Sequence, residues 1–171
     1  MNQFFVDAET DGLYGPFLSV AALVLGERGE ELDRFYGAVP ADGLTVLTPW
    51  VRENVLPSLA RAEQVFPDEA ALLEGFWAFW LRHRETSLCI ADVGVPVEAR
   101  LFARCVQRDP QKRAFLGPYP LYDLSTALYL RGIDPLGDRR ALSGLSLTAH
   151  DAMDDVRMLA ALWSRFGKGA V

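Results

Sequence analysis

The N-terminal stretch is patterned for strands. Gln3 to Glu9 is a short run of β type, and Phe17 to Leu25 is a second, rich in Val, Leu and Phe. Glu31 to Tyr36 alternates charged and apolar residues, which suits a half-exposed third strand. Between the first two runs lies Thr10-Asp11-Gly12-Leu13-Tyr14-Gly15-Pro16, a segment of turn formers. Three successive strands predict an antiparallel meander.

Past Pro40 the period changes. Trp50-Val51 to Leu59 predicts one or two short helices punctuated by Pro49 and Pro57. Asp68 to Arg84 carries the clearest early helix. Leu73, Phe76, Trp77 and Trp80 recur there at helical spacing, and Asp68 and Glu69 stand where the helix dipole favours negative charge. This aromatic stripe reads as core packing rather than a base-stacking platform. His83, near the charged end of the helix, is assigned a dipole or solvent role. Thr86 to Ala91 reads as a buried strand ending at Asp92. Gly94 and Pro96 then turn the chain into a helix over Val97 to Gln107.

Asp109-Pro110-Gln111-Lys112-Arg113 reads as a polar loop, Tyr122 to Leu130 as a helix capped by Gly132, and Ile133 to Leu147 as loop-rich. Ala149 to Phe166 predicts the last helix, with Ala152, Val156, Leu159 and Trp163 on one face and Gly167 and Gly169 ending it. The order of elements predicts an α/β fold: a mixed sheet with its first three strands antiparallel and helices packed on it, in one domain over residues 1–171.

Composition agrees. Half of the 171 residues are apolar and 23% are charged, which suits a packed core and excludes a disordered chain. Cys89 and Cys105 are too few for a disulfide framework and read as buried free thiols. There is no basic segment followed by an apolar one at the N-terminus, and no apolar run near the ~20 residues that span a bilayer, so the expectation is a cytoplasmic protein with no membrane partner. The net charge is −6, which argues against a broad basic surface tracking nucleic acid. It is compatible with an enzyme that grips only a strand end through bound cations.

Several acids stand in expensive places. Asp7 and Glu9 are two apart in a strand, so both point to one face. They follow Phe4-Phe5-Val6, which marks a covered strand. Like charges on a buried face repel unless a cation or shared proton compensates; the plainer alternative is a strand end where both reach water. Asp155 shares a helical flank with Ala152, Leu159 and Leu162, which is costly without a partner. Asp154 is expected to pair with Arg157 on a solvated face, and Asp151 to favour the helix N-terminus. His150 stands at or before the helix start, where its side chain can swing over a nearby site; the plainer alternative is a structural histidine. Asp92 ends a strand and Glu98 opens the next helix; they read equally well as site acids or as a turn former and a helix-dipole acid.

Taken in order, these residues resemble the DEDDh 3′–5′ exonucleases of the ribonuclease H-like fold, among them proofreading exonucleases, ribonuclease T and oligoribonuclease. The resemblance runs from Phe4 to Trp163. Val6-Asp7-Ala8-Glu9-Thr10-Asp11-Gly12-Leu13 is close to the family's D-x-E-T-x-G-L, and His150-Asp151-Ala152-Met153-Asp154-Asp155 to its H-x-A-x-x-D. Leu121-Tyr122-Asp123-Leu124 is similar to the segment the family places before its penultimate helix. The middle motif departs: Ala91-Asp92 stands where the family has H-N, and the next acid is farther on. Counting back from Leu101-Phe102 puts Glu98 at the family's aspartate, with Asp92 as the alternative.

The resemblance implies two divalent ions, Mg²⁺ or Mn²⁺, held by Asp7, Glu9, Asp155 and Glu98 (or Asp92). Hard cations prefer such oxygen ligands, and a pair of them about 3.5–4 Å apart both activates water and steadies the leaving oxygen of a phosphodiester. It further implies His150 as general base, Thr10, Gly12 and Leu13 against the terminal nucleotide, and single-stranded RNA or DNA cut from its 3′ end to nucleoside 5′-monophosphates. A homodimer is among the assemblies it allows. Arg100, Arg104, Lys112, Arg113, Arg139 and Arg140 are candidate phosphate contacts, with scattered surface charge as the alternative. Two other functions fit the same residues: a non-catalytic module on this fold that binds nucleic acid or protein, and a phosphohydrolase of short nucleotides.

Overall fold

The computed structural model describes residues 1–43 and 48–167. Gly169, expected to help end the last helix, lies outside them. The strands are β1 (Asn2–Thr10), β2 (Phe17–Leu25), β3 (Glu31–Ala38), β4 (Gln64–Val65), β5 (Ser87–Ala91) and β6 (Leu121–Asp123). They form one sheet in the order β4-β3-β2-β1-β5-β6. β1–β2 and β2–β3 are antiparallel, as expected of the meander, whereas β5 runs parallel to β1, β6 to β5 and β4 to β3.

The helices are α1 (Pro49–Asn54), α2 (Leu56–Leu59), α3 (Glu69–His83), α4 (Ala99–Gln107), α5 (Pro110–Arg113), α6 (Leu124–Tyr129), α7 (Arg139–Ser143) and α8 (Ala152–Phe166). They cover both faces of the sheet, which explains the consecutive apolar residues in its central strands. On one face Phe4, Val6 and Ala8 pack with Leu72, Leu73, Phe76, Phe79 and Trp80 of α3 and with Leu101 and Phe102 of α4. On the other, Phe5, Ala21, Leu23 and Ile90 pack under Val156, Leu159, Leu162 and Trp163 of α8, with Leu124 and Leu128 of α6. Complete burial of each such side chain contributes about 1.5–3 kcal/mol, so β1, with Phe4 and Phe5 both at 0% exposure, is fixed from both sides. A smaller cluster seats α1 and α2 through Val51, Val55 and Leu59 against Leu18 and Ala38.

The strand parity decides where the chemistry goes. Odd positions of β1 face α8, so Asp7 and Glu9 follow Phe5 onto that side. Their antiparallel partners are Ala21 and Ser19, whose small side chains leave space above them.

Four readings of secondary structure need correction. The polar loop at Asp109 is a helical turn, α5, capped by the Asp109 carboxylate, which accepts from Lys112 N–H at 3.3 Å. The helix expected from Tyr122 begins at Leu124, because Leu121–Asp123 pairs with β5 as an edge strand. The helix expected from Val97 begins at Ala99, after a wide turn over Gly94–Glu98 in which Val95 is extended. The loop-rich stretch before the last helix contains α7, ended by Gly144 at φ 72°. The pair Gln64–Val65 had no strand pattern at all. His83, assigned a dipole or solvent role, is in the last turn of α3 and half-buried: its Nε2 lies 2.9 Å from Asp33, and its ring packs on Phe4 and Phe79. Cys89 and Cys105 are buried and free. Among the described residues no helix is long and apolar enough to cross a membrane.

Candidate functional site

A cavity of about 580 Å³ opens beyond the C-terminal ends of β1 and β5. Asp7, Glu9, Leu13, Asp92, Glu98, Asp138, Arg139, Arg140, His150 and Asp155 line it, with Val93, Val95, Pro96 and Val97 as an apolar wall. Thus β1, the turn after β5 and the start of α8 deliver their acids to one place.

Asp7, Glu9 and Asp155 each present a carboxylate oxygen, and the three oxygens lie within 4.8 Å of one another. Such a cluster resists ionisation. Burial, then repulsion from Glu9, Glu98, Asp155 and Asp92, holds Asp7 well above the usual carboxylate range. Burial and then Asp155 and Asp151 push Glu9 up to about 7. Burial raises Asp155 to about 6, against an opposing pull from Arg140, whose Nη2 lies 3.3 Å from Asp155 Oδ1. Across from Glu9 the Ser19 hydroxyl is buried and, among the described residues, has no hydrogen-bond partner. Three crowded carboxylates, of which only Asp155 meets a cation among the described residues, form an oxygen-rich set suited to a hard cation.

The two middle acids are in different states. Asp92 is clamped by Arg139, whose Nε donates to both of its oxygens at 2.9 and 3.0 Å. Glu98 is 5% exposed and makes no ion pair among the described residues. Burial pushes it up to about 8, although the backbone N–H groups of Ala8 and of Glu98 itself donate to it and pull the other way.

His150 sits one residue before the N-cap of α8 in left-handed backbone, φ 54°. Ser58 Oγ donates to its carbonyl at 2.7 Å, and its ring meets the edge of Trp50 at a centroid distance of 4.6 Å. Burial, then Arg140, lowers its pKa, so the imidazole is neutral near pH 7. Asp151 caps α8 by accepting from Asp154 N–H at 3.0 Å and also accepts from Tyr36 Oη at 3.0 Å.

Asp154 departs from the sequence reading. It does meet Arg157 at 3.3 Å, but it is buried at 4% exposure, not solvated. The segment before α8 and the turn after α2 fold over it: Thr148 N–H donates at 3.0 Å and Arg61 at 3.1 Å. Burial pushes its carboxyl up, and these donors outweigh burial and hold it below the usual range.

Of the three residues expected against substrate, Leu13 lines the cavity and is 60% exposed. Thr10 and Gly12 do not line it; they shape the turn. Thr10 Oγ1 donates to the Gly12 carbonyl at 2.6 Å, and Gly12 adopts φ 74°, a conformation that favours glycine. The six candidate cations separate in the same way. Arg104, Lys112 and Arg113 pair with Glu69, Asp109 and Glu74 away from the cavity. Arg100 lies over the Phe17 ring at 4.3 Å. Arg139 and Arg140 line the cavity. Sequence reasoning missed Ser58, Tyr36 and Arg61, which hold the start of α8. Tyr36 and Asp151 are 115 residues apart, and no local pattern links them.

No family model and no curated protein matches the chain. Solved structures do. E. coli exonuclease I in complex with a dT13 oligonucleotide matches with a TM-score of 0.66 at 18% identity, over 94% of this chain and 40% of that one. The same enzyme with a dA16 oligonucleotide matches with a TM-score of 0.65 at 19% identity, over 96% and 41%. A further exonuclease I structure matches with a TM-score of 0.68 at 16% identity, over 96% and 41%. The chain therefore has the ribonuclease H-like fold of the matched part, and it spans about two-fifths of the length of those proteins.

Proposed function

We propose that this chain is a metal-dependent 3′–5′ exonuclease acting on single-stranded nucleic acid. The observation that carries the reading is the convergence of Asp7, Glu9 and Asp155 within 4.8 Å, with Glu98 on the same cavity wall. Acids that crowd and bury one another are costly unless cations offset the charge, and oxygen donors suit Mg²⁺ or Mn²⁺. Asp7, Glu9, Asp155 and Glu98 would hold two such ions. Asp92 drops out of the set because Arg139 already balances it. When bound, divalent ions supply charge stabilisation to a reacting phosphate and lower the pKa of a coordinated water.

The chain's own groups account for the rest. The neutral imidazole of His150 takes the proton of the attacking water and passes it to solvent, a role worth about 10²–10⁴ in rate. The left-handed backbone and the Ser58 hydrogen bond hold the His150 backbone, and the Trp50 ring meets the imidazole, which lines the cavity. Leu13 offers an exposed apolar surface beside the acids, against which a terminal base packs with little regard to its identity. The net charge of −6 fits a grip on the strand end and a shallow dependence on salt, since few phosphates are neutralised by side chains. The product is a nucleoside 5′-monophosphate. The oligonucleotides bound to E. coli exonuclease I support a single strand as the substrate.

The test is time-resolved digestion of matched single-stranded RNA and DNA in Mg²⁺ and in Mn²⁺. Stepwise shortening from the 3′ end, abolished by Asp7→Asn, is expected. Failure on both polymers by protein that binds Mn²⁺ contradicts the reading. A phosphohydrolase of short nucleotides is the second reading, favoured by a cavity of about 580 Å³, which suits a ligand of one or two nucleotides. It predicts faster cleavage of a dinucleotide than of a long oligomer.

A further inference from the structure

Arg139 and Arg140 are neighbours on α7, face the same cavity, and are held in opposite ways. Arg139 is engaged at all three of its nitrogens. Its Nε meets both oxygens of Asp92, and its terminal nitrogens donate to the carbonyls of Pro135 at 2.7 Å and Gly137 at 3.0 Å. Arg140 is barely held. Its Nη2 reaches Asp155 Oδ1 at 3.3 Å and the Thr148 carbonyl at 3.4 Å, both long contacts. Its Nε is buried and has no partner among the described residues. A buried N–H left unpaired is unfavourable, so this pose is one the side chain gives up readily. Asp155 in turn is the member of the three-acid cluster that carries a cation.

We propose that Arg140 is a displaceable counter-cation, resting on Asp155 in the ion-free protein and moving to a phosphate oxygen of the bound strand once divalent ions occupy the acids. This rests on the proposed reading of the site. A divalent ion held by the three acids and a guanidinium on Asp155 draw on the same carboxylate and repel each other at such close range. The displaced guanidinium retains its unmet Nε donor, and its planar fork matches the oxygens of a phosphate. With the acids engaged, the one new anion in the cavity is the substrate's. Arg140 thus ties the two events together: the ion frees the side chain that the strand then uses.

The experiment compares the full chain with Arg140→Met and with Arg82→Met, a charge control on α3 far from the cavity, by calorimetry. Mn²⁺ is titrated first without nucleotide, then thymidine 5′-monophosphate is titrated at saturating Mn²⁺. Arg140→Met is expected to bind Mn²⁺ about fivefold more tightly, the size of one competing partly exposed charge pair. It is expected to bind the monophosphate about tenfold more weakly, the size of a lost charge-assisted hydrogen bond. Arg82→Met changes neither. General damage to the site weakens both affinities, so the opposite signs are diagnostic. Mn²⁺ affinity unchanged or weakened, or monophosphate affinity unchanged, overturns the proposal. If Arg140→Met is unfolded by circular dichroism, Arg140→Gln decides by the same readings. A wild-type chain that takes up no Mn²⁺ sinks the metal-site reading and this one together; a wild type that binds Mn²⁺ and shortens strands, with Arg140→Met unaltered, sinks this one alone.

Discussion

Arg139 holds Asp92 through a single nitrogen that reaches both carboxylate oxygens, at 2.9 and 3.0 Å. The two residues are 47 apart in the chain, yet the contact decides which of two neighbouring acids remains available for chemistry. Burial still raises the Asp92 pKa despite the arginine, so the clamp offsets only part of the cost of placing that acid there. Glu98 makes no ion pair among the described residues, and it is the acid we propose as the further ion ligand.

Separate substitution of the two acids should therefore divide activity from stability. Glu98→Gln is expected to lower kcat at least ~10²-fold with little change in melting temperature, since removing one ligand of a charged centre costs several kcal/mol in the transition state. Asp92→Asn strands the nearly buried Arg139 and is expected to cost about 1–3 kcal/mol in stability, read as a lower midpoint in urea, while retaining most activity. Full activity in Glu98→Gln and its loss in Asp92→Asn would reverse the assignment.

The acid cluster also sets a pH dependence with a definite sign. Glu9, Glu98 and Asp155 titrate near 7, 8 and 6 in the folded chain, and Asp7 is raised as well. Their unfolded values lie near 4, so between these limits the native state binds more protons than the unfolded one. Ion-free stability must then fall as pH rises through that window. Thermal melts without metal should give a higher Tm near pH 5.5 than near pH 8, by roughly 2–4 °C for each kcal/mol in a chain of this size. Adding Mg²⁺ should recover the loss near pH 8 and do little near pH 5.5, where protons compete. Equal Mg²⁺ effects at both values would remove the acids from the account.

Ser58 acts on the site through His150 rather than on substrate. Removing its hydroxyl takes the donor from the half-buried His150 carbonyl and loosens the left-handed backbone there. Ser58→Ala should lower kcat about 3–10-fold at unchanged KM, the scale of one lost hydrogen bond, and Ser58→Thr should restore most of it. Steady-state kinetics separates this from a general loss of fold, which would lower the active fraction in both variants.

Leu13 is exposed, so its truncation to alanine should leave stability within about 0.5 kcal/mol of wild type. If it packs against the terminal base, Leu13→Ala raises KM for oligonucleotides several-fold. An unchanged KM would show that the side chain has no substrate to meet.

The first strands were legible because β1 and β2 are covered on both faces and carry the consecutive apolar residues that such burial demands, Phe4-Phe5-Val6 in one and 20–25 in the other. Asp7 and Glu9 were legible from strand parity, and Asp155 from its apolar helical flank. β6 was not. Its three residues carry no period of their own, and its pairing with Cys89–Ala91 is set by tertiary contact. α7 was hidden in a stretch of turn formers, and with it the contacts of Arg139 and Arg140. The burial of Asp154 was equally invisible, since it depends on Arg61 and on the Thr148 N–H arriving from outside its own helix.

The central claim is that Asp7, Glu9 and Asp155 hold divalent metal. A crystal of the chain grown in Mn²⁺, with anomalous diffraction recorded at the manganese edge, tests it most directly. The account predicts strong anomalous density between these three carboxylates, lost in Asp7→Asn. Density elsewhere on the protein, with none among the three acids, would contradict it.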